Sequence, residues 1–320
     1  MKITREQLNE RLSWSLDQKI DHTLFTIENA LSYSDNNAYV SFSGGKDSTI
    51  LLYLARIIKP DIKAVFFNTT NEFPEIYQFI KDSEGITTIN PNTNLRKVID
   101  KCGFPLVSKE QAQYIREVRS AKSQKAIDKR MNGWVNTKTG EQTTLGKISN
   151  KWQHLINAPF DVSEKCCFYL KKQPAIKFEK ENKLLPIIGT SASESQMRLL
   201  KYYHTGCNAF DLKRPASYPL SIWNDTDKWN FIRENSIPYS GIYDKGKTQT
   251  GCMLCGFGCW KRDNFDFLKQ NYPKHFEIGM SYKNNGVTYA DAITFALEKQ
   301  KCVGKKIFNY VQTAISFPNE

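Results

Sequence analysis

Histidine is scarce in this chain: four residues in 320, at positions 22, 154, 204 and 275. They fall in no ligand or nucleophile pattern, and neither a Ser-His-Asp arrangement nor a His-Glu-x-x-His helix is present. Long apolar runs are missing too. None approaches the roughly 20 residues that a bilayer-spanning helix requires, so no membrane partner is expected. The opening stretch "MKITREQLNERLSWSLDQKI" lacks the apolar centre of a signal peptide and reads as a charged amphipathic helix. A soluble, cytoplasmic protein is the expectation. There is no internal repeat and no long low-complexity segment. Acidic side chains are in deficit, 33 against 45 Lys and Arg, which leaves a net charge of +12.

With 40% hydrophobic and 12% aromatic residues the chain is globular, and its length suffices for one large domain or two of ordinary size. Half of the excess charge lies in residues 119–152, which hold 8 basic and 2 acidic side chains, with Trp134 and Trp152 alongside. Lys and Arg neutralise phosphates and aromatic rings stack on bases, so this stretch suits a nucleic acid. A solvated surface insertion is the plain alternative. The eight cysteines are unlike a disulfide framework in a reducing compartment. Cys166 and Cys167 are adjacent, and Cys252-x-x-Cys255 is followed by Cys259, which points to metal or redox chemistry.

Residues 5–32 carry helical apolar spacing. "NAYVSFS" reads as a buried strand, "DSTILLYLARII" as a helix ending before Pro60, and "IKAVFFNTT" as a second strand. "FPEIYQFIKDSEG" is a helix, "ITTINP" a third strand, and "NLRKVIDKCG" a helix closed by Gly103. Strand and helix alternate as in βαβ units, which implies a parallel sheet covered by helices. The alternation lapses over 105–160 and returns at "KLLPIIGTSASESQMRLL" as strand, loop and helix.

Between the first strand and its helix lies Ser43-Gly44-Gly45-Lys46-Asp47-Ser48. A glycine loop that opens a helix presents unpaired N–H groups and the positive end of the dipole, which suits an anion. The kinase-type phosphate loop does not fit, because Asp47 follows Lys46 where Ser or Thr is required. The stretch resembles the PP-loop, Ser-Gly-Gly-x-Asp-Ser, of the ATP pyrophosphatase superfamily, which includes the phosphoadenylylsulfate reductases. That resemblance implies an adenine-nucleotide α-hydrolase-like fold in which Ser43, Gly44, Gly45 and Ser48 cradle pyrophosphate. By the same resemblance Lys46 neutralises the leaving group, and Asp47 organises the loop or helps hold Mg²⁺. "AVFFNTTNEFPEIYQFI" is similar to the family's second strand and helix, which places Phe67, Asn68, Thr69 and Thr70 over the adenosine. "GTSASESQMR" resembles its Glu-Ser-x-x-Arg segment, with Glu194, Ser195 and Arg198 lining the cleft. Residues four apart share a helical face, so Glu194 and Arg198 also read as an ordinary surface ion pair.

Cys166-Cys167 with Cys252-Met-Leu-Cys255 resembles the set that holds a [4Fe–4S] cluster in the adenylylsulfate reductase branch. Structural zinc and unreactive buried thiols are the alternatives, though adjacent cysteines reach one tetrahedral ion with difficulty. Cys259 stands as a substitute ligand or a nearby thiol; Cys102, Cys207 and Cys302 form no pattern. The reductases' C-terminal Glu-Cys-Gly-x-His tail is missing, and their usually degraded PP-loop is intact here. Both departures point to a consumer of ATP.

The expectation is therefore a parallel α/β PP-loop domain over 1–215, carrying the basic insertion, and a small, mostly helical cysteine-rich lobe over 216–320. Such a protein would bind ATP, adenylate a substrate such as DNA or RNA, and support sulfur transfer from a donor such as a cysteine desulfurase. Thioredoxin-dependent reduction of adenylyl sulfate or its 3′-phosphate is the alternative. A nucleotide-gated iron–sulfur module that only binds nucleic acid is a third.

Overall fold

The computed structural model describes residues 2–136, 139–261 and 263–298. They sort into two compact units, each assembled from separate stretches. The first comprises the described residues through Asn68, with Glu72–Pro91 and Lys172–Gly251. The second comprises Thr69–Asn71, Asn92–Lys171 and the described residues from Cys252 onward.

The first unit begins with α1 (Arg5–Leu12) and α2 (Leu16–Tyr33). The single helix expected over 5–32 is broken at Ser13–Ser15. Ser15 starts α2 as an N-cap, accepting from the Gln18 N–H while the Gln18 side chain accepts from the Ser15 N–H; that reciprocal pair favours a fresh start over a continuous helix. There follow β1 (Ala38–Phe42), α3 (Lys46–Ile58), β2 (Lys63–Phe67), α4 (Pro74–Asp82) and β3 (Ile86–Ile89). After the excursion through the second unit come α5 (Gln173–Asn182), β4 (Leu185–Ile188), α6 (Gln196–Thr205), β5 (Asn208–Ala209), β6 (Ala216–Ser217) and α7 (Asp225–Glu234).

The sheet order is β3-β2-β1-β4-β6-β5, parallel throughout except where β5 runs against β6. Strand β1 lies at its centre because it is apolar on both faces: Ala38, Tyr39, Val40 and Phe42 are all buried. Helix α3 seals one face with Ile50, Leu51, Leu54 and Ala55. From β1 the chain moves outward one way to β2 and β3, then later the other way to β4. The carboxyl ends of β1 and β4 therefore flank the point where strand order reverses, the place where open α/β sheets form a ligand crevice.

The second unit is mostly helical. Its helices include Leu95–Cys102, Lys109–Arg119, Gln124–Asn132, Asp263–Asn271, Pro273–Met280 and Tyr289–Glu298. Its core is aromatic: the Phe104 and Tyr289 rings stack 5.0 Å apart, and Phe160 meets Phe104 edge-on. Asn284, buried, bonds the carbonyls of Ile99 and Asp100 and accepts from the Asp161 N–H. No helix among the described residues is long and apolar enough to cross a membrane.

Candidate functional site

The loop Ser43–Ser48 leaves the carboxyl end of β1 and opens α3. Gly44 has φ +70, and a Cβ there would lie 2.9 Å from Ile80 Cγ1, so glycine is required on two counts. Gly45 is the N-cap of α3, with no side-chain cap. The Ser48 hydroxyl accepts from the Ser43 N–H and donates to the Gly45 carbonyl, closing the loop on itself. A Cβ on Gly189, just past β4, would meet the Asp47 carbonyl at 2.8 Å, so the two strand ends touch through backbone.

One wall of this loop comes from α7 and the segment that follows it. The Lys46 N–H donates to the Tyr243 hydroxyl at 2.8 Å. The Lys46 ammonium is buried, bonded to the Thr248 carbonyl at 2.9 Å and to Asp225 at 3.0 Å. It also faces the rings of Tyr243 and Trp229. Asp47 pairs with Lys228 at 2.9 Å, while its second oxygen, Oδ1, is buried with no partner. Lys228 lies 3.8 Å from Glu194, which accepts from the Ser191 N–H and pairs with Arg198. Burial pushes the Lys228 ammonium below its ordinary value, against the pull of Asp47, and burial likewise lowers Arg198.

Glu194 and Arg198 do not share a helix as their spacing implied. Glu194 closes a 3-10 turn at Ala192–Glu194, and Ser195 caps α6, so the pair bridges the cap. Sequence reasoning misses Lys228, Asp225, Tyr243 and Thr248. Asn224 starting α7 as a capping box with Asp227 is the available local signal, but it marks a helix and not a site.

Of the residues expected over adenosine, Phe67 turns its ring toward Tyr39 and Phe178, at 6.1 and 5.9 Å. The Asn68 amide donates to Asn90. Thr69 belongs to the second unit, fully buried, with Oγ1 3.9 Å from the Cys252 sulfur. Arg214 makes a bidentate pair with Glu179, which also accepts from Tyr39; Lys213 is exposed.

The second unit gathers the cysteines. Cys166 and Cys167 lie on the short helix Lys165–Cys167, and Cys252 and Cys255 bracket a tight turn, Cys255 N–H to Cys252 carbonyl at 3.2 Å. Asn71 holds that turn through both its carbonyls, accepting from the Met253 and Leu254 N–H groups at 2.7 and 3.1 Å. Cys166 is hydrogen-bonded to Cys167 and feels Cys255 and Cys252, all of which oppose a charge on it. Cys167 is pulled the other way by that bond and by Lys109 and Lys171. Burial raises the Cys255 thiol to about 12. Cys259 is buried among backbone groups, its thiol pushed up to about 11 with no cysteine contributing. The quartet Cys166, Cys167, Cys252 and Cys255 thus forms one electrostatic group, and Cys259 stands outside it. Among the described residues no three His, Cys, Asp or Glu side chains converge as ligands of a single ion. Cys207 is buried in the first unit, 3.5 Å from His22 Nε2. Cys302 lies outside the described residues.

In the basic stretch, Lys122, Lys125 and Lys129 are exposed and Lys147 is half-buried. Arg130 is committed to Glu117, to the Gly146 carbonyl and to the Tyr114 ring, 3.9 Å away. Trp134 is exposed on a short hairpin, but Trp152 is buried against Trp260 and cannot stack on a base as expected; its ring completes the core under the 3-10 turn Asn150–Asn157.

Residues 37–256 match the phosphoadenosine phosphosulfate reductase domain model. An uncharacterized protein of Methanocaldococcus jannaschii is 24% identical over 238 residues, covering 74% of this chain and 45% of the relative. A second from the same organism is also 24% identical, with 78% and 42% covered. The chain thus spans under half the length of these two relatives. The adenosine 5′-phosphosulfate reductase of Staphylococcus epidermidis is 22% identical, over 69% of this chain and 71% of that one. The crystal structure of phosphoadenylyl-sulfate reductase from Candida auris, a phosphate complex, aligns with a TM-score of 0.41 at 15% identity, over 79% of this chain and 97% of that chain.

Proposed function

This chain belongs to the phosphoadenosine phosphosulfate reductase domain family, and from that premise we propose that it is an ATP pyrophosphatase that adenylates a nucleic-acid substrate for sulfur transfer. The observation that carries the reading is the complete Ser43–Ser48 loop at the reversal of strand order, opening a helix with no side-chain cap. A substrate oxygen attacks the α-phosphorus of ATP, the bond to the β-phosphate oxygen breaks, and pyrophosphate leaves with the electron pair. The loop N–H groups and the start of α3 receive the pyrophosphate. Lys46, dry and already fixed by Asp225 and Thr248, supplies positive charge where the leaving group gains negative charge. Lys228 and Arg198 extend that field on the Glu194 side.

Asp47 Oδ1, an unpartnered hard oxygen, fits Mg²⁺, which when bound neutralises phosphate charge. Cys166, Cys167, Cys252 and Cys255, which influence one another electrostatically, would hold a [4Fe–4S] cluster, which would supply redox-active iron for the sulfur step. Asn71 and Thr69 orient the Cys252–Cys255 half of that set. Lys122, Lys125 and Lys129, with the exposed Trp134, are the surface groups that suit a phosphodiester backbone. A sulfur donor such as a cysteine desulfurase would present a persulfide whose terminal sulfur displaces AMP, and a second thiol would then cleave the resulting S–S bond, forming a disulfide with the donor and releasing the thiolated product.

The test is isotope exchange between ATP and pyrophosphate with anaerobically prepared protein. Exchange that requires Lys46 and Asp47 supports the reading. The name of the staphylococcal relative favours a second reading, reduction of a sulfonucleotide. Sulfite released from adenylyl sulfate with thioredoxin, in the absence of exchange, would establish that reading instead. Nucleotide binding with neither activity would leave a non-catalytic binding module.

A further inference from the structure

Within the second unit, the helix Gln124–Asn132 buries none of its residues. Gly133 turns the chain from that helix into a hairpin of Trp134–Val135 against Gln142–Thr143. Its φ is +86, and a Cβ there would lie 2.0 Å from the Thr143 carbonyl oxygen, so the close approach needs glycine. A two-stranded hairpin on its own is marginal, yet the root of this one is fixed to the helix. The Arg130 carbonyl accepts from the Ile148 N–H at 2.7 Å. The Arg130 guanidinium, held by Glu117, donates to the Gly146 carbonyl at 2.9 Å. The Gln142 amide donates to the Asn132 carbonyl, also at 2.9 Å. What this fixed root presents is apolar: Trp134 is 44% exposed, Val135 54% and Leu145 71%. Cross-strand partners share a face, so Trp134 sits with Thr143, and Val135 with Gln142 on the opposite face. Lys125 and Lys129, both exposed, lie one helical turn apart, a few residues before the indole.

Exposed apolar groups gathered in this way mark a contact surface, and the lysines beside them call for a polyanion. An anionic membrane takes an apolar face laid along its interface. Trp134 and Val135 point to opposite sides of the hairpin and form no such face. A nucleic acid asks for less: phosphates for the lysines and one base for the ring. The bases of a duplex are already stacked on their neighbours, so an indole finds a free face only on an unpaired base. We propose that the hairpin stacks Trp134 on an unpaired base, and that the partner is therefore a single strand or a nucleic acid opened at a loop or bulge. Lys125 and Lys129 hold the phosphates beside that base, a contact that by itself carries no preference for sequence. The inference rests on the reading of the substrate as a nucleic acid and adds which form of it is accepted.

Fluorescence anisotropy of the whole protein with labelled single strands of DNA and RNA, and with their duplexes, tests this at fixed ionic strength. The wild type should bind a single strand about tenfold or more tightly than the matching duplex. Trp134→Ala should weaken single-strand binding about tenfold or more. Trp134→Leu, which keeps apolar bulk without a π face, should lose as much, and Trp134→Tyr should recover most of the loss. The slope of log affinity against log salt should stay the same in these variants. In Lys125→Ala/Lys129→Ala it should become shallower by about one per lysine. Single strand and duplex bound alike, or Trp134→Ala within about twofold of wild type on the single strand, overturns the proposal. Partition onto phosphatidylserine vesicles with neither strand retained overturns it too. Trp134-dependent binding without exchange between ATP and pyrophosphate removes the adenylation reading and leaves this inference standing; exchange with no strand retained does the reverse.

Discussion

Lys228 is a buried ammonium with 2% side-chain exposure, placed between Asp47 at 2.9 Å and Glu194 at 3.8 Å. Replacing it with Met keeps the length of the stem and removes the charge, leaving the Asp47 carboxylate with neither oxygen paired by protein. Removing one partner of a fully buried pair costs about 3–5 kcal/mol. The Asp47 side chain keeps 21% exposure, so water recovers part of that, and we expect about 2–3 kcal/mol for Lys228→Met. Asp47→Asn should cost less, because Lys228 still has Glu194. The double variant Lys228→Met/Asp47→Asn has no stranded charge and should be no worse than Lys228→Met alone. Urea unfolding of the four proteins reads the coupling directly. A pH series adds a second signature. The folded-state value of Lys228 is depressed, so between that value and the ordinary 10.5 the unfolded chain binds more protons. Stability should therefore rise with pH through that window in the wild type relative to Lys228→Met. If the two single costs add to within about 0.5 kcal/mol, the pair is not coupled and the electrostatic account of the loop fails.

Gly44→Ala should lower stability by about 1–3 kcal/mol, since both its φ of +70 and the nearby Ile80 resist a Cβ. Gly140→Ala, at φ +72 with open space around it, should cost only the backbone part, and thermal unfolding compares the two. Burial raises the Tyr243 phenol to about 12, so the stability it contributes is complete below pH 10 and lost as pH rises through about 12. The difference in absorbance at 295 nm between wild type and Tyr243→Phe should place its midpoint near the higher value, and a midpoint at 10 would contradict its buried contact with Lys46. Anaerobically prepared protein should carry about four irons per chain. Cys166→Ser should lose them and Cys259→Ser should keep them, as elemental analysis would report; stoichiometric zinc without iron would remove the cluster.

The β1–loop–α3 unit is legible in the sequence because each part has a local cause: an apolar run, two glycines and an amphipathic helix within twenty residues or so. The alternation that follows implies the parallel sheet for the same reason. The wall around Lys46 is not legible, because Asp225, Lys228, Tyr243 and Thr248 reach the loop from far along the chain and share no spacing with it. Trp152 departs from expectation because charge density describes a segment, whereas burial is decided residue by residue; its neighbours Lys151 and Asn150 are exposed while it is not. Arg130 shows the same thing, spent on Glu117 and Tyr114 within an otherwise solvated stretch. Asn71 carries no motif, yet its amide reaches the cysteine turn from more than 180 positions earlier in the chain.

The pairing of Ala38 with Leu185 and Val40 with Ile187 has a consequence for synthesis. The two strands at the centre of the sheet leave the ribosome about 150 residues apart, so closure of the core is a late, non-local event. Until β4 emerges, β1 presents an unpaired edge, and the intervening stretch must form or wait in its presence. Neither unit is a continuous segment, so a polypeptide ending at Lys171 would contain β1–β3 without β4, and one beginning after it would contain β4 without its partner. Expression as two separate polypeptides should therefore yield aggregation-prone halves, and co-expression should restore a soluble species only where the two chains meet while both are nascent.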